Sequence, residues 1–248
     1  MLSILLIALS VHAQSSPTVL TPQLKNQIVK KTNCLPNAEA WRSTTGFVND
    51  MLIDKKGIMW IATNSGLLRW DGNHKLVFNT DPKNPFQLQA DKINAIFQRR
   101  DGAILLETQK ANLQIEVLEK GSTQSKPITK DKEDNIVRGY LTDISISSEE
   151  LIHAAFNEGN RLVIYEVVAD YLLQKAIVQL DHLVDQRKIK IAFHEQTFWI
   201  SVEDSGVWRV ANKGVPQKVM DYDQKGQQLT YANFLISDQS NQLWLGLN

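Results

Sequence analysis

Between Val48 and Gly72 the chain reads V-N-D-M-L-I-D-K-K-G-I-M-W-I-A-T-N-S-G-L-L-R-W-D-G, three apolar runs of strand length, each closed by a short polar turn. Val48 to Ile53 ends at Asp54-Lys55-Lys56-Gly57, with Asp and Gly where a type I turn and its bulge want them. Ile58 to Ala62 is nearly unbroken in its apolar character, the pattern of a strand covered on both faces. Thr63-Asn64-Ser65-Gly66 makes a second turn, and Leu67 to Trp70 runs into Asp71-Gly72, a strong hairpin signal. His74 to Phe78 then supplies a fourth strand. A lone meander of four short strands leaves apolar surface on both faces and needs neighbours of its own kind.

Further copies follow. Ile93 to Phe97, then Asp101-Gly102 and Ala103 to Thr108, repeat the first strand, turn and second strand, with Leu105 in the place of Trp60. A degenerate third copy runs from Leu141 to Val167, a fourth from Ile189 to Val210 with one extra residue in a turn, and a fifth begins at Tyr231. Trp60, Leu105, His153, Trp199 and Trp244 thus occupy one position at intervals of about 45 residues. Four strands per unit at that period predict an all-β fold: a β-propeller of four four-stranded antiparallel blades and the start of a fifth, an incomplete ring. The expected blades are 45–85, 91–135, 139–185, 188–224 and 230–248. A helical repeat is the rival, but Gly and Asp-Gly punctuation inside the copies argues against it.

Leu2 to Val11 is an apolar run ending Val11-His12-Ala13-Gln14, which reads as a secretory signal peptide, residues 1–13, cut after Ala13. It lacks a Lys or Arg ahead of the run, and a buried N-terminal strand is the alternative. Residues 14–40 form a polar, proline-containing entry segment that can add an edge strand to the last blade. Cys34 is the only cysteine, so no disulfide forms within the chain. Lys plus Arg and Asp plus Glu both number 27, which leaves no basic field for nucleic acid.

Glu119 to Asn135 reads as a long surface loop around an outer strand. From Asp170 to Gln186 the local pattern conflicts with the repeat: Leu173, Ala176, Ile177, Leu180 and Val184 share a helical face, whereas the repeat demands an outer strand near Ala176 to Leu180. The repeat is given precedence because it spans the chain.

No catalytic constellation assembles. There is no G-x-S-x-G elbow, no phosphate-binding loop and no pair of Cys-x-x-Cys ligands. His194-Glu195 opens like a zinc-protease motif, but Phe198 stands where the second His belongs. Asp221 to Gly226 opens like a calcium loop, but Lys225 replaces the fifth ligand and Ala232 the twelfth. No catalytic residue, metal or cofactor is therefore assigned. Six tryptophans invite carbohydrate stacking. Trp60, Trp199 and Trp244 sit on apolar strands suited to packing between blades, which leaves Trp41 as the freer candidate.

The pattern D-x-x-G-x-x-W-I-x-T-x-x-G-L-x-R-x-D-G resembles the two-component regulator propeller repeat, and Asp54, Gly57, Trp60, Ile61, Thr63, Gly66, Leu67, Arg69, Asp71 and Gly72 carry it. The second copy keeps Asp101, Gly102 and Thr108, the fourth Trp199 and Gly206, and the fifth Asp238, Trp244 and Gly246. The resemblance covers the chain from about Trp41 onward. It implies a non-catalytic periplasmic sensor region of a hybrid histidine kinase or a diguanylate cyclase, with a carbohydrate or other small ligand in a central funnel. It further implies a longer receptor whose C-terminal signalling domains lie beyond Asn248, and a homodimer in full-length form. A propeller glycan lyase or hydrolase, needing clustered carboxylates or His at the funnel mouth, is the competing expectation, and a scaffold propeller the third. An open ring also predicts poor solubility for this piece alone.

Overall fold

The structure, a computed structural model, describes residues 6–9, 47–110, 113–179, 189–203, 205–211, 214–220, 232–238 and 242–247. The described residues contain no helix. Blade 1 is the meander β2 (Val48–Ile53), β3 (Met59–Thr63), β4 (Gly66–Trp70) and β5 (Lys75–Phe78). Blade 2 comprises β6 (Ile93–Gln98), β7 (Ile104–Lys110), β8 (Leu113–Leu118) and β9 (Lys126–Pro127). Blade 3 comprises β10 (Tyr140–Ile146), β11 (Ile152–Asn157), β12 (Arg161–Val168) and β13 (Tyr171–Gln179). Blade 4 comprises β14 (Ile189–His194), β15 (Thr197–Val202), β16 (Gly206–Ala211) and β17 (Gln217–Met220). The fifth sheet has β18 (Ala232–Ser237), β19 (Leu243–Leu247) and, antiparallel on β19, β1 (Leu6–Leu9).

Four apolar cores hold these sheets, one at each junction. Trp60, Leu67 and Phe78 meet Ile93, Ile96 and Leu106 between blades 1 and 2. Leu105, Ile115 and Val117 meet Ile152, Ala154 and Tyr165 between blades 2 and 3. Leu162, Ile164 and Val178 meet Ile191, Phe198 and Ile200 between blades 3 and 4, and Ala192 and Val207 meet Leu235 and Leu245 between blades 4 and 5. Successive residues of one strand therefore serve opposite junctions, as Ala154 and Ala155 do. That is why the second strand of each copy reads as an unbroken apolar run.

The pairing register places the repeat positions on one rung. Trp60 lies opposite Leu52, Leu105 opposite Phe97, His153 opposite Ser145, Trp199 opposite Ala192 and Trp244 opposite Ile236. Over Tyr171–Gln179 the contested segment is strand β13, with Leu172 buried at the junction of blades 2 and 3 and Ala176 and Val178 at that of blades 3 and 4, while residues 180–186 lie outside the described residues. The helical stripe came from a bulge in the pairing with β12, where the register shifts between Ile164 and Tyr165.

One reading changes. In blade 2 the closing bonds run from Gly102 N to Arg99 O at 2.9 Å and from Arg99 N to Ala103 O at 3.0 Å, the same pair that joins Gly57, Asp54 and Ile58. Arg99, and not Asp101, therefore stands in the place of Asp54. In the uncleaved chain Leu6–Leu9, inside the run read as a leader, pairs antiparallel with the edge of β19. Trp41, Cys34, the entry segment 14–40 and the Asp221 to Gly226 stretch lie outside the described residues.

Candidate functional site

The first strands of neighbouring blades lie side by side, and a polar residue recurs on those of blades 1, 3 and 4, as Asp50, Asp143 and Lys190, one step before Met51, Ile144 and Ile191. Asp50 Oδ2 accepts the Ile96 N–H at 2.9 Å, joining blade 1 to blade 2. At the equivalent position Asp143 Oδ2 accepts the Ile191 N–H at 2.8 Å, and Lys190 Nζ donates to Asp143 Oδ1 at 2.8 Å, joining blade 3 to blade 4. Between them Glu107, from β7, accepts a hydrogen bond from Asn94 Nδ2 at 3.2 Å.

These groups feel one another. Burial pushes the Glu107 carboxyl above the usual carboxylate range; Asp143 and Asp50 push it further, while Asn94 and Lys190 act the other way. Burial likewise raises Asp143, against the pull of Lys190 and two backbone amides. Three carboxylates and one ammonium thus make a central polar patch that favours hydroxyl-rich or cationic groups. Among the described residues, no cluster of three or more His, Cys, Asp or Glu side chains is arranged to hold a metal ion. The hydrogen bonds of Asp50 and Asp143 to the next blade give both carboxylates a joining role.

A second concavity, a cleft of about 470 Å³, opens between the Asp54–Gly57 turn of blade 1 and two turns of blade 2. Trp60, Phe78 and Phe86 form its floor, and Lys56, Arg69 and Lys120 are among its rim residues. The sequence explains the floor. Asp54 Oδ1 accepts the N–H groups of Lys56 and Ile58 at 2.9 and 3.0 Å, while Oδ2 accepts the Trp60 indole N–H at 3.1 Å. One carboxylate therefore fixes both the turn and the ring, and the Arg69 guanidinium lies 5.8 Å from the ring centroid. Asp238 and Trp244 repeat the arrangement at 2.7 Å.

The motif residues singled out in the sequence do not converge. Thr63 Oγ1 donates to the Gly66 carbonyl at 2.8 Å and closes a turn in which Gly66 has φ +124, where a Cβ would run into the Phe78 carbonyl oxygen. Gly57, Gly102 and Gly206 also take positive φ, Asp101 pairs with Arg99, and Thr108 is buried within β7 opposite Ile93. Trp199 packs against the core between blades 4 and 5. These residues build blades. Asp50, Glu107, Asp143 and Lys190, the polar centre, were not singled out; the available signal was an Asp or Lys in an apolar first strand and, for Glu107, an acid in an apolar second strand.

Residues 43–65 match the family described as two component regulator propeller. The structure is similar to that of the extracellular domain of BT4673 from B. thetaiotaomicron, described in one determination as a one component system and in another as a hybrid two component system. The first superposes with a TM-score of 0.61 at 13% identity over 84% of this chain and 29% of that chain. The chain thus spans under a third of that relative. A virginiamycin B lyase from Staphylococcus aureus, solved with quinupristin, superposes with a TM-score of 0.52 at 16% identity over 82% of this chain and 64% of that chain. At such identities the likeness is one of fold. No curated protein matches the chain. The motif centred on Asp54 and Trp60 lies within the residues that match the two component regulator propeller family, and the sheets stacked on it are blades of a β-propeller.

Proposed function

We propose that this chain is the ligand-sensing propeller region of a bacterial two-component receptor, a hybrid histidine kinase or a related diguanylate cyclase, held on the outer side of the cytoplasmic membrane. The repeat at residues 43–65 carries the reading, and the fold it shares with an extracellular domain of a hybrid two component system supports it. In this role the blades are rigid and the ligand meets the central patch around Glu107, Asp143 and Lys190. Its hydroxyl-matching character suits a carbohydrate or another small polar ligand. Binding there bears on two blade-to-blade bonds, those of Asp50 and Asp143, so occupancy alters packing that signalling domains of the whole receptor, a homodimer, read out. The apolar run Leu2 to Val11 serves as the export signal, cut after Ala13, and β1 leaves with it.

Two measurements test this. A C-terminal alkaline phosphatase fusion is active if the chain is exported; an inactive fusion overturns the periplasmic placement. Calorimetric titration with a panel of neutral oligosaccharides gives saturable heat that Lys190→Met abolishes; silence across the panel overturns carbohydrate sensing.

The raised Glu107 carboxyl beside Asp143 and Asp50 favours one second reading, a glycan-cleaving propeller. Turnover of any panel member, lost in Glu107→Gln, would establish that reading in place of the first.

A further inference from the structure

We propose that the cleft between blades 1 and 2 is a second binding site, for a small organic anion that carries an apolar ring. The inference is independent of the sensor reading and of the central patch.

The corresponding space between blades 2 and 3 is crossed by a side chain. There Arg99, at the position of Asp54, reaches over to blade 3: Nη1 donates to the Ala169 carbonyl at 2.5 Å, and Nη2 pairs with Asp101 at 2.5 Å and Glu119 at 3.3 Å. In blade 1 Asp54 turns back onto its own turn and the Trp60 indole and does not reach across; Gln98 Oε1 crosses from blade 2 to accept the Lys55 N–H at 2.9 Å, and the 470 Å³ cleft stays open beside that bond. The same substitution that opens the space decides its charge. Of the acids around it, Asp54 is consumed by two amides and an indole, and Asp101 and Glu119 are held by Arg99. Of the bases, Lys55 and Arg100 are paired with Glu150, and Arg69 lies over Trp60 near Asp71.

Lys56 and Lys120 remain. Both are exposed, and neither has an acid partner among the described residues. Lys120 extends its stem past Gly102, where its Cδ would stand 3.7 Å from a Cβ. Two uncommitted ammonium groups therefore flank a floor in which Ile58, Leu76 and Phe86 are only partly covered. A carboxylate meets the lysines while a ring lies on the floor; a neutral ring lacks the first contact and an inorganic anion the second.

Benzoate, benzamide and inorganic sulfate are the probes, followed by NMR of the tryptophan indole N–H groups in the full chain, with the Trp60 signal identified by its absence in Trp60→Phe. The expected result is a saturable shift of the Trp60 signal by benzoate, with affinity at least tenfold above that for benzamide and for sulfate, and weaker in high salt. Lys56→Gln with Lys120→Gln should weaken benzoate at least fivefold, whereas Lys132→Gln, on a distant loop, should leave it unchanged. No saturable Trp60 shift, equal response to benzamide or to sulfate, or a double variant within twofold of the parent would each overturn the proposal. A failed oligosaccharide titration would leave it standing.

Discussion

His153 holds the rung that Trp60 and Leu105 hold elsewhere, and it is an ill-suited occupant. It is wholly buried at the junction of blades 3 and 4, 4.7 Å from the Phe193 ring and 5.0 Å from Phe198, and neither ring nitrogen has a hydrogen-bond partner among the described residues. Burial pulls its pKa down to about 4, against the attraction of Glu166, itself paired with Lys175. The folded value lies below the ordinary 6.5, so the unfolded chain takes up the proton first. The neutral ring's full contribution to stability is present above about pH 6.5 and is lost as pH falls toward about 4. At pH 5 the loss is about 2 kcal/mol, and it approaches about 3 kcal/mol below pH 4. His153→Leu removes the titration together with two unsatisfied nitrogens, a gain of roughly 1–3 kcal/mol, and loses ring contacts of roughly 0.5–1.5 kcal/mol. The variant should therefore exceed the parent by about 1 kcal/mol at pH 7.5 and by about 3 kcal/mol at pH 5. Urea unfolding followed by tryptophan fluorescence at both pH values measures the gap. A gap that stays constant or narrows on acidification refutes the claim that a neutral imidazole is locked in this junction.

Asp54→Ala strips three donors of their acceptor, one of them a buried indole, and should cost about 2–3 kcal/mol in urea unfolding, with Asp54→Asn between it and the parent. Because burial raises the Glu107 carboxyl, its ionised form is disfavoured in the fold, and the stability it contributes is complete below about pH 4.5 and lost as pH rises through the folded value. Glu107→Gln should accordingly be more stable than the parent at pH 7.5, an advantage that vanishes near pH 4 in the same assay. Lys190→Met leaves the Asp143 carboxylate buried without its ammonium and should cost about 3 kcal/mol, most of it recovered in the double variant with Asp143→Asn.

The fold was legible because its signal is repeated. A single window offered a helix over Asp170 to Gln186, yet β13 occupies Tyr171–Gln179, since an outer strand is required to cover Leu162 and Ile164. Periodicity within one segment was misled by the bulge opposite Ile164 and Tyr165, a feature of the pairing that no single strand encodes. The rung residues were found for the opposite reason: turn, strand and turn recur together, so even His153 aligned, although its chemistry does not match tryptophan. The motif's family signal weakens in the second and third blades, which trade the Asp and Trp pair for Arg99 with Leu105 and Ser147 with His153, and the pair returns as Asp238 with Trp244.

The candidate sites were less legible because each is made between copies. Asp50 and Asp143 look alike in sequence, a lone acid in an apolar strand, and only the register shows that each closes on the next blade's amide at Ile96 or Ile191. Met51 makes the same logic visible from its other side. Its counterparts Ile96, Ile144 and Ile191 are 5%, 7% and 0% exposed beneath a neighbouring sheet, whereas Met51 is 64% exposed on a face that no described blade covers. A blade is thus chemically two half-interfaces, and what a given side chain does depends on which neighbour it meets. Arg99 shows the consequence most directly: the position that fixes a turn in blade 1 sends its side chain, in blade 2, across to Ala169 of blade 3, so one substitution within the repeat changes which blade the side chain meets.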